Sequence, residues 1–143
     1  MLTKKDYCDY DTCVALKELG FNEPTLAYYF GFLSSKPLLY LVIDKDCMPE
    51  DGVNVFDLLS NSNKYKDSKN IDAPTLWEAQ KWLMEEKKIE VNATYDNIVE
   101  LHWHWYMKSL TNRNQIISNT NHDSYEQALL AGIKETIKIL KEK

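Results

Sequence analysis

Apolar residues recur along this chain with two periods, one near 3.6 and one of 2, and the switches between them mark out its elements. Near the start, "YDTCVALKELGF" carries apolar positions at helical spacing. Asp9 or Asp11 can accept from the open amides of a first turn, and Gly20 followed by Phe21 is a helix stop, so the spacing predicts a helix from about Tyr10 to Leu19. Thr25 to Phe30 and Leu38 to Ile43 are short apolar runs separated by the turn-forming "GFLSSKP", which predicts an antiparallel hairpin. The segment "DKDCMPEDG" reads as loop, "VNVFDLL" as a strand or a single helical turn, and "SNSNKYKDSKN" from Ser60 to Asn70 as a polar, flexible connection.

Downstream the pattern sharpens. "TLWEAQKWLMEEKK" follows Pro74 and opens with Thr75 and Glu78 at capping-box spacing, so a helix is expected from about Leu76 to Lys88. On its wheel Leu76, Ala79 and Leu83 share a face, with Trp82 on one flank and Trp77 and Met84 on the other, an apolar arc wider than one packing surface needs. "IEVNATY" then alternates, Asp96 and Asn97 suggest a turn, and the next strand places Val99, Leu101, Trp103, Trp105 and Met107 on one face. Glu100, His102, His104, Tyr106 and Lys108 fall on the other. "TNRN" marks a turn and "QIIS" a short third strand. Ser124 and Gln127 open a last helix whose stripe runs through Tyr125, Ala128, Leu129, Gly132, Ile133, Thr136, Ile137 and Leu140. Gly132 inside that stripe implies close approach to a sheet, since it costs about 1 kcal/mol of helix propensity against Ala.

These elements predict an α+β fold, an antiparallel sheet with helices packed on one face and a C-terminal half of order α-β-β-β-α. A single domain over 1–143 is expected, with a subdivision into 1–59, a polar connection at 60–70, and 71–143 as the alternative. All four tryptophans lie between Trp77 and Trp105, so if the helix from Leu76 lies across the central strand, Trp77 or Trp82 can meet Trp103 and Trp105 in one aromatic cluster.

Composition narrows the function classes. The chain has 143 residues with 44% hydrophobic and 27% charged, enough for one core that buries roughly 70% of the unfolded surface. The first residues lack the apolar run of a secretory signal, and Leu38 to Ile43 falls far short of the roughly 20 residues a membrane span needs, so a soluble, cytoplasmic protein is expected. A net charge of −5 and a single arginine, Arg113, disfavour a phosphate-tracking or base-reading surface. Cys8, Cys13 and Cys47 are odd in number without a Cys-x-x-Cys pair, so neither a disulfide framework nor a zinc site is expected.

The candidate chemistry sits in "LHWHWYM". Two residues apart on a strand, His102 and His104 point the same way, a geometry metal sites use, yet the remaining histidine, His122, belongs to the loop before the last helix. A solvated face of a one-sided sheet explains the row more simply. Glu100, His102, His104 and Tyr106 would form an acid-base row if the loop from Asp44 to Asn70 covered them. No nucleophile elbow, phosphate loop or zinc-protease helix motif accompanies them, and four glycines leave little for a nucleotide loop. The α-β-β-β-α order is shared with double-stranded RNA-binding domains, but those place lysines at the start of the second helix, where this chain has Asp123 and Glu126. A weaker basic stripe at Lys134, Lys138, Lys141 and Lys143 complements the helix dipole.

The pieces "ALKELGFNEP", "APTLWEAQKWLMEEKKIEV" and "SYEQALLAGIKETIKIL" resemble a family of small uncharacterised proteins that recur in gut anaerobic bacteria and in their phages and mobile elements. The resemblance covers most of the chain in order and implies a bacterial or phage cytoplasmic protein. It transfers no catalytic residue. The reading is a non-enzymatic accessory protein that binds a protein partner or itself, with no cofactor or metal and with Trp77, Trp82, Met84, His102, His104 and Tyr106 as candidate binding residues. The alternatives are a nucleic-acid-associated protein using Lys64, Lys66, Lys69 and the last-helix lysines, and a metal hydrolase using His102 and His104.

Overall fold

The computed structural model describes residues 4–30, 38–41, 70–96, 102–118 and 121–142. The chain divides into two compact units, Tyr7–Pro74 and Met1–Asp6 with Thr75–Lys143.

In the first unit α1 spans Tyr10–Glu18. Asp9 caps it by accepting from the Thr12 amide at 3.0 Å. The helix stops where expected: Gly20 adopts φ 105°, and the Phe21 amide folds back to donate to the Leu16 carbonyl at 2.9 Å. Strands β1 (Ala27–Phe30) and β2 (Leu38–Leu41) form the predicted hairpin. Asn70 departs from expectation. It opens a third strand, β3 (Asn70–Asp72), paired antiparallel with β1, so the sheet order is β2-β1-β3. The physical reason lies in its flanks: Ile71 is buried, the Thr25 hydroxyl lies 3.1 Å from the Asp72 carboxylate, and the Ala73 amide donates to the Ala27 carbonyl. One apolar residue between two polar ones leaves no periodic signature. The hairpin turn, Cys47, the loop from Asp44, "VNVFDLL" and the rest of the polar connection lie outside the described residues.

The second unit opens with a 3-10 turn at Lys4–Asp6 and then carries α2 (Leu76–Lys87), β4 (Ile89–Asp96), β5 (His102–Ser109), β6 (Gln115–Ile117) and α3 (Tyr125–Lys141). The sheet is antiparallel with order β4-β5-β6. The α+β class and the α-β-β-β-α order are those the periodicity predicts. The capping box is complete in α2: Glu78 N donates to Thr75 Oγ1 at 3.1 Å, and Thr75 N donates to Glu78 Oε1 at 2.9 Å. In α3 it is displaced by one residue. Ser124 Oγ accepts from the Gln127 amide, but the Gln127 side chain reaches back to the Asp123 amide. Asp96 is not a turn residue either, because it pairs with His102 and prolongs the ladder; Asn97, Val99, Glu100 and Leu101 lie outside the described residues.

Helix α3 crosses β4 and β5, while α2 packs on β4. Gly132 makes the crossing possible: a Cβ there would stand 2.9 Å from Val91 Cγ2 and 3.0 Å from Trp105 Cβ. This placement removes the condition on which the tryptophan cluster depended. Since α3 rather than α2 covers the central strand, Trp103 packs against Tyr95 and Tyr125, with ring centroids 5.1 and 5.4 Å away, and Trp105 lies under Gly132.

Candidate functional surfaces

Strand β5 sorts its side chains by alternation. Trp105 and Met107 are buried beneath α3, with Thr136 Oγ1 donating to Met107 Sδ at 3.7 Å. On the opposite face His102, His104, Tyr106 and Lys108 are half-buried. The register places Thr94 beside His104, Asn92 beside Tyr106 and Glu90 beside Lys108, with Ile117 and Gln115 on the β6 side. The rings of His102 and His104 face each other at 5.8 Å, tilted by 52°. His122 does not join them. It pairs with Trp103 through two backbone hydrogen bonds of 3.1 and 2.9 Å, and a bridge partner projects to the same side as its opposite residue, so His122 belongs to the Trp103 face. Among the described residues no three His, Cys, Asp or Glu side chains are placed to hold a metal ion. Glu100, the fourth member of the expected polar row, lies outside the described residues.

The outer side of α2 forms a second surface. Trp77 and Met84, seven positions apart and therefore on one stripe, are 38% and 41% exposed. Lys81 lies between them and pairs loosely with Glu85 at 3.9 Å, a contact too solvated to fix the surface strongly. Trp82 is a correction to the expected binding set. It is 7% exposed and shares the buried arc with Leu76, Ala79 and Leu83, and the Lys87 ammonium sits 5.5 Å from its ring centre. A position one residue before Leu83 and three after Ala79 turns inward with them.

Two features escaped the sequence reading. Cys8 and Cys13 are both fully buried and flank the Asp9 cap at the N′ and N4 positions, so they form a hydrophobic staple built from thiols. Hydrogen bonding with Cys8, followed by burial, pushes the Cys13 thiol well above its ordinary value, which makes it a poor nucleophile. The Cys8 carbonyl also accepts from the buried Tyr29 hydroxyl at 2.8 Å, and burial pushes that phenol upward too. The second feature is β6, all three of whose residues are exposed. A short strand flanked by polar turns gave no sign of its position at the sheet edge.

No family model, curated protein or solved structure matches the chain. The functional reading therefore rests on the surfaces themselves. Among the described residues no helix is long and apolar enough to cross a membrane.

Proposed function

We propose that this chain is a non-enzymatic accessory protein, of bacterial or phage origin, that works by binding a protein partner through the outer stripe of α2. The observation that carries the reading is the exposure of Trp77 and Met84 on a helix whose other side is anchored by Leu76, Ala79, Trp82 and Leu83. Tryptophan and methionine are enriched where protein surfaces meet, and a preformed helix presents them without an ordering cost. Helical anchors at i and i+7 suit a groove on the partner. The experiment is photo-crosslinking from position 84 in cells that express the full chain. A discrete protein adduct that disappears on Trp77→Ala supports the reading, and an adduct pattern indifferent to Trp77→Ala removes it.

The rival reading is a nucleic-acid-associated protein. It draws on Lys134, Lys138 and Lys141, which are exposed at i, i+4 and i+7 along the second half of α3. Retention on a nucleic-acid matrix that falls steeply with salt would favour it, because phosphate contacts release counterions.

A further inference from the structure

We propose that β6 is a docking edge for a second copy of this chain, whose β6 adds antiparallel about a two-fold axis at Ile116. The hydrogen-bond phase supplies the first step. Ser109 N donates to Asn114 O at 2.8 Å, and Ser118 N donates to Trp105 O at 2.9 Å. With Met107 opposite Ile116, this phase turns the peptide groups of Asn114, Ile116 and Ser118 toward β5 and those of Gln115 and Ile117 away from it.

The two edges of this sheet are treated differently. On β4 the same phase turns Val91 and Ala93 outward, and a side chain engages one peptide group of each. Gln80 Nε2 donates to Val91 O at 2.8 Å, and Ala93 N donates to Asn92 Oδ1 at 2.9 Å. On β6 the three residues are exposed, with Ile116 at 47% and Ile117 at 60%. Edge strands are usually guarded by lysine, proline or a covering segment. "QII" contains neither lysine nor proline, and among the described residues none covers its isoleucines.

The edge is complementary to itself. Pairing about Ile116 sets each Gln115 opposite Ile117 of the second copy. Both of these residues turn their peptide groups outward, so each pair exchanges two hydrogen bonds. The two-fold doubles them, and every outward N–H and C=O of the strand is satisfied. Ile116 meets its own copy on one face, and on the other Ile117 covers the Gln115 stem. No charge opposes a like charge, because the strand has none. The two-fold uses the β6 edge of both copies at once, so assembly closes at two chains. Three residues a side fall well short of the roughly 1,200–2,000 Å² that stable complexes bury, so the dimer is weak and concentration-dependent.

The test is sedimentation equilibrium of the full chain over a wide concentration range, for the wild type, Ile117→Pro and Ile117→Lys. The Ile117 amide does not serve the β5 ladder, so proline there removes only the outward donor. The average mass of the wild type should rise toward that of two chains and no further. Each variant should associate at least about tenfold more weakly, because symmetry counts each change twice: proline removes two hydrogen bonds, and lysine replaces both apolar contacts with the Gln115 stem by a charge. Amide exchange supplies a readout that needs no variant: Gln115 and Ile117 should gain protection as concentration rises. A wild type that stays at one chain throughout, grows beyond two, or dimerises without protecting these two amides would overturn the proposal. Trp77→Ala should leave the dimer intact, which separates this edge from the α2 stripe.

Discussion

Two glycines show how differently one residue type can be fixed. Gly20 has open space around a Cβ position but adopts φ 105°, so Gly20→Ala should destabilise by about 1–2 kcal/mol through backbone conformation alone. Gly132 has ordinary helical geometry but no room. Alanine there gains about 1 kcal/mol of propensity and meets Val91 and Trp105 at distances that cost about 1–3 kcal/mol to relieve. The expected net is a lower urea midpoint at an unchanged slope; a higher midpoint would show that the helix does not sit so close to the sheet. Both glycines were legible, one by its place after a helix and the other by interrupting a stripe. The Cys8 and Cys13 staple was not, because a five-residue spacing reads as neither a metal nor a redox motif. It has a consequence in pH. The folded chain holds the Cys13 thiol and the Tyr29 phenol protonated while the unfolded chain ionises them at ordinary values. Stability from this source is therefore fully present below about pH 9 and falls as pH rises above it. Thermal melts from neutral to alkaline pH should show that fall, and Cys13→Ala should flatten its first part.

At the scale of elements, the caps made the helices readable and also rank their sensitivity. Thr75 and Glu78 close both bonds of the capping box and Thr75 is buried, so Thr75→Ala should cost about 1–2 kcal/mol. Ser124 accepts one bond, and Gln127 serves Asp123 instead, so Ser124→Ala should cost about 0.5–1 kcal/mol. Equal losses measured by chemical denaturation would contradict the difference in cap geometry. Alternation was equally informative for β5, where Trp105 and Met107 go in and the imidazoles of His102 and His104 go out together. What it could not supply was the neighbour. Whether a third histidine joins the pair depends on His122 bridging to Trp103, a contact across nineteen positions that no local pattern encodes. The same limit hid β3, whose existence depends on β1 and on Thr25 rather than on its own three residues.

For the molecule as a whole, composition and period sufficed for the α+β class, but not for which helix covers which strand. The wide apolar arc on α2 correctly marked an excess of hydrophobic surface, and only the packing of α2 on β4 and α3 across β5 shows how that arc is divided. Trp82 goes to the interior and Trp77 stays outside with Met84. The proposed function therefore turns on one helix having two sides, one holding the fold and the other exposed and proposed to meet a partner. Urea unfolding of Trp77→Ala and Trp82→Ala side by side measures this division directly. Trp82→Ala should lose about 3–5 kcal/mol and Trp77→Ala no more than about 0.5 kcal/mol. Comparable losses in the two variants would make Trp77 a core residue and leave α2 without a surface to offer.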